Sequence, residues 1–169
     1  MRKTIYFFTL IVLSSKMAHA QSAADSTIKI SPARTLTYPH YQAYLNGEAD
    51  DEMARVAEMN HYPMPDKVLK WKKELDLSPI QIQKITEIKN YMHRRRLQTG
   101  GSIIANERTL DSLFRHNKID DGTVIFYGNR SGAYLGELRN AMLLACLSTQ
   151  KLLSPQQNTR YEALQKPNW

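Results

Sequence analysis

The chain has one cysteine, Cys146, among its 169 residues. An intramolecular disulfide is therefore excluded, and stability must come from packing alone or from a Cys146–Cys146 bridge between two chains. After the N-terminal apolar stretch no second run of that length follows, so stable insertion of the processed chain in a membrane is not expected. No segment alternates Val, Ile and Thr with polar residues as a strand does. There is no Gly-rich phosphate loop, no Cys/His or Ser/His motif and no metalloprotease helix motif, so no catalytic residues are expected. The nearest thing to paired carboxylates is Glu48, Asp50, Asp51 and Glu52. At a helix start that cluster is better explained by the macrodipole, which favours negative charge in the first turn.

What is present begins with a tripartite leader. Arg2-Lys3 is followed by the apolar run Ile5 to Leu13 and by Ala18-His19-Ala20. That order is the pattern of a secretory signal with an A-x-A cleavage site, and residues 1–20 are expected to be removed after Ala20. A retained anchor is the competing reading; the run is shorter than the roughly 20 residues a spanning helix needs. In a Gram-negative cell the destination is the periplasm. Loss of Arg2, Lys3 and Lys16 lowers the formal net charge from +7 to +4. An exported protein with that modest excess is expected to meet acidic or unfolded polypeptide or anionic headgroups, not nucleic acid.

Residues 21–45 carry Ser, Thr, Pro and Tyr without helical period and read as a flexible N-terminal arm. A helical domain is expected over 46–166. Its first helix holds Met53, Val56, Ala57 and Asn60 and stops at Pro63; a short one starts at Pro65-Asp66 with Val68, Leu69, Trp71 and Leu75 on an apolar face. The clearest start signal is Ser78-Pro79-Ile80-Gln81. A hydroxyl at the N-cap, proline at the first helical position and glutamine three residues on make a reciprocal capping box. Ile82, Ile85, Ile88 and Met92 continue the seam, and the helix is expected to reach Phe114. Gly100-Gly101 interrupts it at a propensity cost of roughly 2 kcal/mol, which implies a kink or a close helix contact, with a full break as the alternative.

After a turn at Asp120-Asp121-Gly122, a long helix is expected from Asp121 to Leu152, with Val124, Tyr127, Leu135, Leu138, Met142 and Ala145 inward. Gly128, Gly132 and Gly136 stand at four-residue intervals on it, a row that favours close helix packing. Ser154-Pro155-Gln156-Gln157 then repeats the capping box and opens a last helix with Tyr161 and Leu164 inward. The fold class is all-α.

The repeated Leu77-Ser78-Pro79-Ile80-Gln81 and Leu153-Ser154-Pro155-Gln156-Gln157 resemble the LTxxQ motif of the Spy/CpxP group of periplasmic stress proteins. That group includes zinc-resistance-associated and heavy-metal-sensor relatives. Ala57 to Pro65 and Glu107 to Phe114 look like further signatures of one subgroup, and the resemblance covers roughly residues 47–165. It implies a long bent antiparallel helical hairpin with short flanking helices, paired into a cradle-shaped homodimer. It also implies an ATP-independent chaperone or envelope-stress protein that holds unfolded polypeptide on a basic and apolar surface. The residues expected there are Lys84, Ile85, Ile88, Lys89, Met92, Arg95 and Arg96. Arg94, Arg95 and Arg96 span most of one turn, so all three cannot face one groove.

The alternative is a periplasmic sensor or resistance protein for zinc, copper or nickel. The subgroup carries histidines early in its second helix and as a late His-x-x-x-His-like pair. Here Lys67 stands at the first position, and Met142 and Cys146 stand at the pair. Lysine is a poor ligand because it is protonated at neutral pH. Met142 and Cys146 share a helix face and could suit Cu(I), but both also behave as core hydrophobes, and that is the reading adopted. His40 with His61, or His93 with His116, could form a site only if the fold joined them; they are expected as surface residues. No cofactor is expected, a transition metal being the only candidate.

Overall fold

The computed structural model describes residues 29–48 and 51–165. Helices hold 76% of them and no strand occurs among them, so the fold is all-α. The elements run α1 (Tyr38–Asn46), a 3-10 turn (Asp51–Ala54), α2 (Arg55–Met59), α3 (Pro65–Lys70), α4 (Pro79–Arg115), α5 (Asp121–Leu152) and α6 (Pro155–Leu164). The N-terminal residues 1–28, with the proposed leader and cleavage site, lie outside the described residues.

Helices α4 and α5 are the frame, about 55 and 48 Å long at 1.5 Å per residue. They run antiparallel, with Gln81 bonded to the Leu152 carbonyl at one end and Asn106 to the Tyr127 carbonyl nearer the other. Both serine boxes form as the spacing predicts. Ser78 Oγ accepts from the Gln81 amide while Gln81 Oε1 accepts from the Ser78 amide, and Ser154 and Gln157 do the same. Asp120 caps α5 by accepting from the Thr123 amide at 2.7 Å. Bonding to Thr123 holds the Asp120 carboxyl below its usual pKa.

Two apolar clusters anchor the lower half of this pair. In one, α3 and α6 close over the ends of α4 and α5, with Val68, Leu75, Ile85 and Tyr161 at zero exposure. Trp71 meets Tyr161 edge-on at 5.5 Å. The other joins Ala54 and Met64 to Met92, Met142, Ala145 and Cys146. Each large side chain buried this way contributes about 1.5–3 kcal/mol.

Residues 38–45, expected within an irregular arm, belong to α1, which packs on α4. The local signals exist: Thr37 accepts from the His40 amide as N-cap, Pro39 sits in the first turn, and Gly47 ends the helix at φ +66°. Gly47 is also in close quarters, since a Cβ there would lie 3.0 Å from Leu97 Cγ. Arg34 adds a 2.8 Å ion pair to Asp111 of α4.

α4 runs unbroken through Gly100-Gly101, and the two glycines differ. A Cβ on Gly100 would collide with the Tyr44 carbonyl of α1, whereas Gly101 faces open space. The close contact expected at this pair is therefore made by the first glycine alone. The row Gly128, Gly132 and Gly136 behaves otherwise: nothing lies within 4 Å of a Cβ at any of them. Because α1 lies against α4, no described helix reaches this face of α5, and the expected close packing does not occur among the described residues. For the same reason Val124 and Leu135, expected inward, are exposed. Leu164 of α6 also points outward, while Tyr161 fills the core alone.

Candidate binding groove

One face of the α4–α5 pair is covered by the layer formed from α1, the 3-10 turn, α2 and α3. The opposite face is open and carries a groove of about 820 Å³. On α4 it is lined by Lys84, Ile88, Tyr91 and Arg95, a stripe at steps of four, three and four that follows one side of a helix. On α5 the floor is Ala141, Leu144, Ala145 and Leu152. Tyr91 and Leu144 leave 59% and 60% of their surface exposed, large apolar groups without a covering element among the described residues.

Charge is arranged unevenly along the groove. At the upper end Arg95 bridges to Glu137 of α5 at 3.4 Å, so those two charges offset one another. At the lower end stand Lys84 and Lys151, with Glu87 one turn above Lys84. Among the described residues neither lysine has an ion-pair partner. The surface is thus apolar in its middle, neutralised above and cationic below.

Of the residues expected on a binding surface, Lys84, Ile88 and Arg95 line the groove. Ile85 and Met92 do not: at 0% and 1% exposure they belong to the core. A helix turns 100° per residue, so Ile85 points about a quarter-turn away from Lys84, towards α3 and α6. Lys89 faces the covered side and pairs with Asp66 of α3 at 2.8 Å. Arg94 is exposed, Arg95 faces the groove and Arg96 is half-buried, so the three arginines do point apart. Sequence reasoning missed Tyr91, Ala141, Leu144 and Lys151. A signal for Leu144 was available: it is an apolar residue off the Leu138–Met142–Ala145 seam.

The fold also brings Lys67, Met142 and Cys146 into one neighbourhood. Cys146 and Met142 are fully buried, and Cys146 Sγ lies 3.1 Å from Met64 Sδ. Burial first, and the nearby Glu58 carboxylate second, push the thiol up to about 12. It is a buried core thiol with no disulfide. Lys67 donates to Glu58 at 2.6 Å. His40, His61, His93 and His116 are all exposed. Among the described residues no three His, Cys, Asp or Glu side chains are grouped to hold a metal, and no helix is long and apolar enough to cross a membrane.

Comparison with protein-family models, with curated proteins and with solved structures finds no match to this chain.

Proposed function

We propose that this is an exported, non-enzymatic helical stress protein of the Spy/CpxP type that binds unfolded or acidic polypeptide without nucleotide. The single observation that supports this reading is the open groove between α4 and α5, apolar along its floor and edged by Lys84, Arg95 and Lys151. Long-range attraction steers an acidic chain towards such a surface, and apolar contact then holds it. A homodimer, in which two such faces act together, belongs to the same proposal. The test is aggregation of a denaturing client at near-stoichiometric ratio with no nucleotide present. Suppression is expected, and its absence with properly folded protein removes the proposal.

A second reading, a periplasmic heavy-metal sensor or resistance protein, is favoured by one observation. Met64, Met142 and Cys146 share a core cluster, and sulfur donors suit Cu(I). Against it stand the protonated thiol and the Lys67 ammonium already engaged by Glu58. Calorimetry with Cu(I), zinc and nickel separates the readings: micromolar or tighter binding, lost in Cys146→Ser, selects the sensor.

A further inference from the structure

The groove has a length and a polarity that limit what can lie in it. Its α4 lining spans Lys84 to Arg95 and its α5 lining spans Glu137 to Leu152, about 20 Å at 1.5 Å per residue. An extended chain advances about 3.4 Å per residue, so about six residues fill that length. The upper end is bridged by the Arg95–Glu137 pair, while the lower end presents Lys84 and Lys151 without ion-pair partners among the described residues.

We propose that the groove holds a single extended apolar segment of about six residues, oriented with an acidic residue at the Lys84–Lys151 end. The proposal rests on the polypeptide-binding reading above and adds to it a segment length, a polarity and the two lysines that set it. The middle of the segment lies on Ile88, Tyr91, Ala141 and Leu144, whose exposed carbon it covers. The acidic residue pairs with Lys84 and Lys151, which outnumber the one carboxylate near them, Glu87, and have no ion-pair partner among the described residues. Because the groove is open, the backbone of the bound segment keeps its outer N–H and C=O groups hydrated, so no sheet-like pairing is required. A basic residue at the lower end is repelled, which gives the site a sequence preference that a merely greasy surface lacks.

Fluorescence anisotropy with three labelled peptides tests this. Each is a six-residue peptide with blocked termini, four apolar residues followed by Asp-Glu in one, Ser-Ser in another and Lys-Lys in the third. The wild-type protein is expected to bind the acidic peptide about fivefold more tightly than the Ser-Ser peptide, the size of an exposed ion pair, and the basic peptide more weakly still. Lys84→Glu/Lys151→Glu, at two exposed positions, is expected to reverse the order. Equal affinity for all three peptides on both proteins, with loss on Leu144→Glu, overturns the polarity while leaving the broader reading intact. No binding of any peptide, together with no suppression of aggregation, overturns both. Displacement of the acidic peptide by a long-chain fatty acid that binds more tightly, on the same lysines, overturns the peptide as occupant in favour of an amphiphile.

Discussion

Gln81 and Gln157, the last residues of the two capping boxes, are hydrogen-bonded to each other through their side-chain amides. Gln81 Nε2 donates to Gln157 Oε1 at 2.8 Å, and Gln157 Nε2 donates to Gln81 Oε1 at 3.2 Å. Each amide also reaches the backbone that leads into the other box: Gln81 to the Leu152 carbonyl at 2.8 Å, Gln157 to the Leu75 carbonyl at 3.2 Å. The repeated motif thus starts two helices and fastens their starting points together. Gln81→Ala and Gln157→Ala each leave part-buried polar groups unpaired and should cost about 1–3 kcal/mol. The double variant should lose less than the two singles combined, with a coupling of about 0.5–3 kcal/mol in urea unfolding. Additive losses would mean that the amides act separately.

The adjacent glycines of α4 should respond in opposite directions. Gly101→Ala removes a poor helix former from an exposed position and should stabilise by about 0.5–1 kcal/mol. Gly100→Ala drives a methyl into the Tyr44 carbonyl and should destabilise by about 1–3 kcal/mol as α1 is pushed off α4. Thermal melts of the two variants, compared with wild type, read the difference in sign.

How much of this was legible in the sequence depends on how local each signal is. The starts of α4 and α6 and the extent of α5 follow from residues within a turn of each boundary, such as Ser78-Pro79 and Asp120, so they could be read directly. α1 carried equally local marks in Thr37, Pro39 and Gly47, but its lack of an apolar stripe hid it; its contact with α4 is backbone against Gly100, which leaves no hydrophobic period. The groove was only half readable. Ile85 and Lys84 are neighbours in sequence, and which of them is buried is set by the packing of α3 and α6, not by α4. The glycine row on α5 suggested a packed surface because spacing alone does not say whether a partner helix is present.

That row yields its own expectation. Gly132→Ala faces open space and should raise stability by about 1 kcal/mol in dilute protein. If the proposed second copy docks on this face, the same substitution weakens the dimer, which sedimentation across a concentration series would reveal as a shift towards monomer.

Cys146 sets an alkaline limit on stability. Its folded pKa is about 12 against an ordinary value of 9.0, so the fold favours the protonated thiol. The resulting stabilisation is fully present below about pH 9 and is lost as pH rises through 12. Burial raises the Tyr161 phenol as well, so it acts in the same direction above its ordinary value of 10.0. Thermal melts from pH 8 to 11 should fall for wild type and fall less steeply for Cys146→Ala. A thiol reagent should label native protein slowly and urea-unfolded protein at once, and non-reducing electrophoresis should show no disulfide-linked dimer.

Where an unfolded client sits can be read by placing a photo-cross-linking side chain at Leu144 in the groove and, separately, at the exposed Val56 of α2 on the covered side. With a client captured during denaturation, adducts should form from position 144 and be largely absent from position 56, and Lys84→Glu/Lys151→Glu should diminish those from 144. Equal adducts from both positions, or adducts from position 56 alone, would contradict the assignment of client binding to the α4–α5 groove.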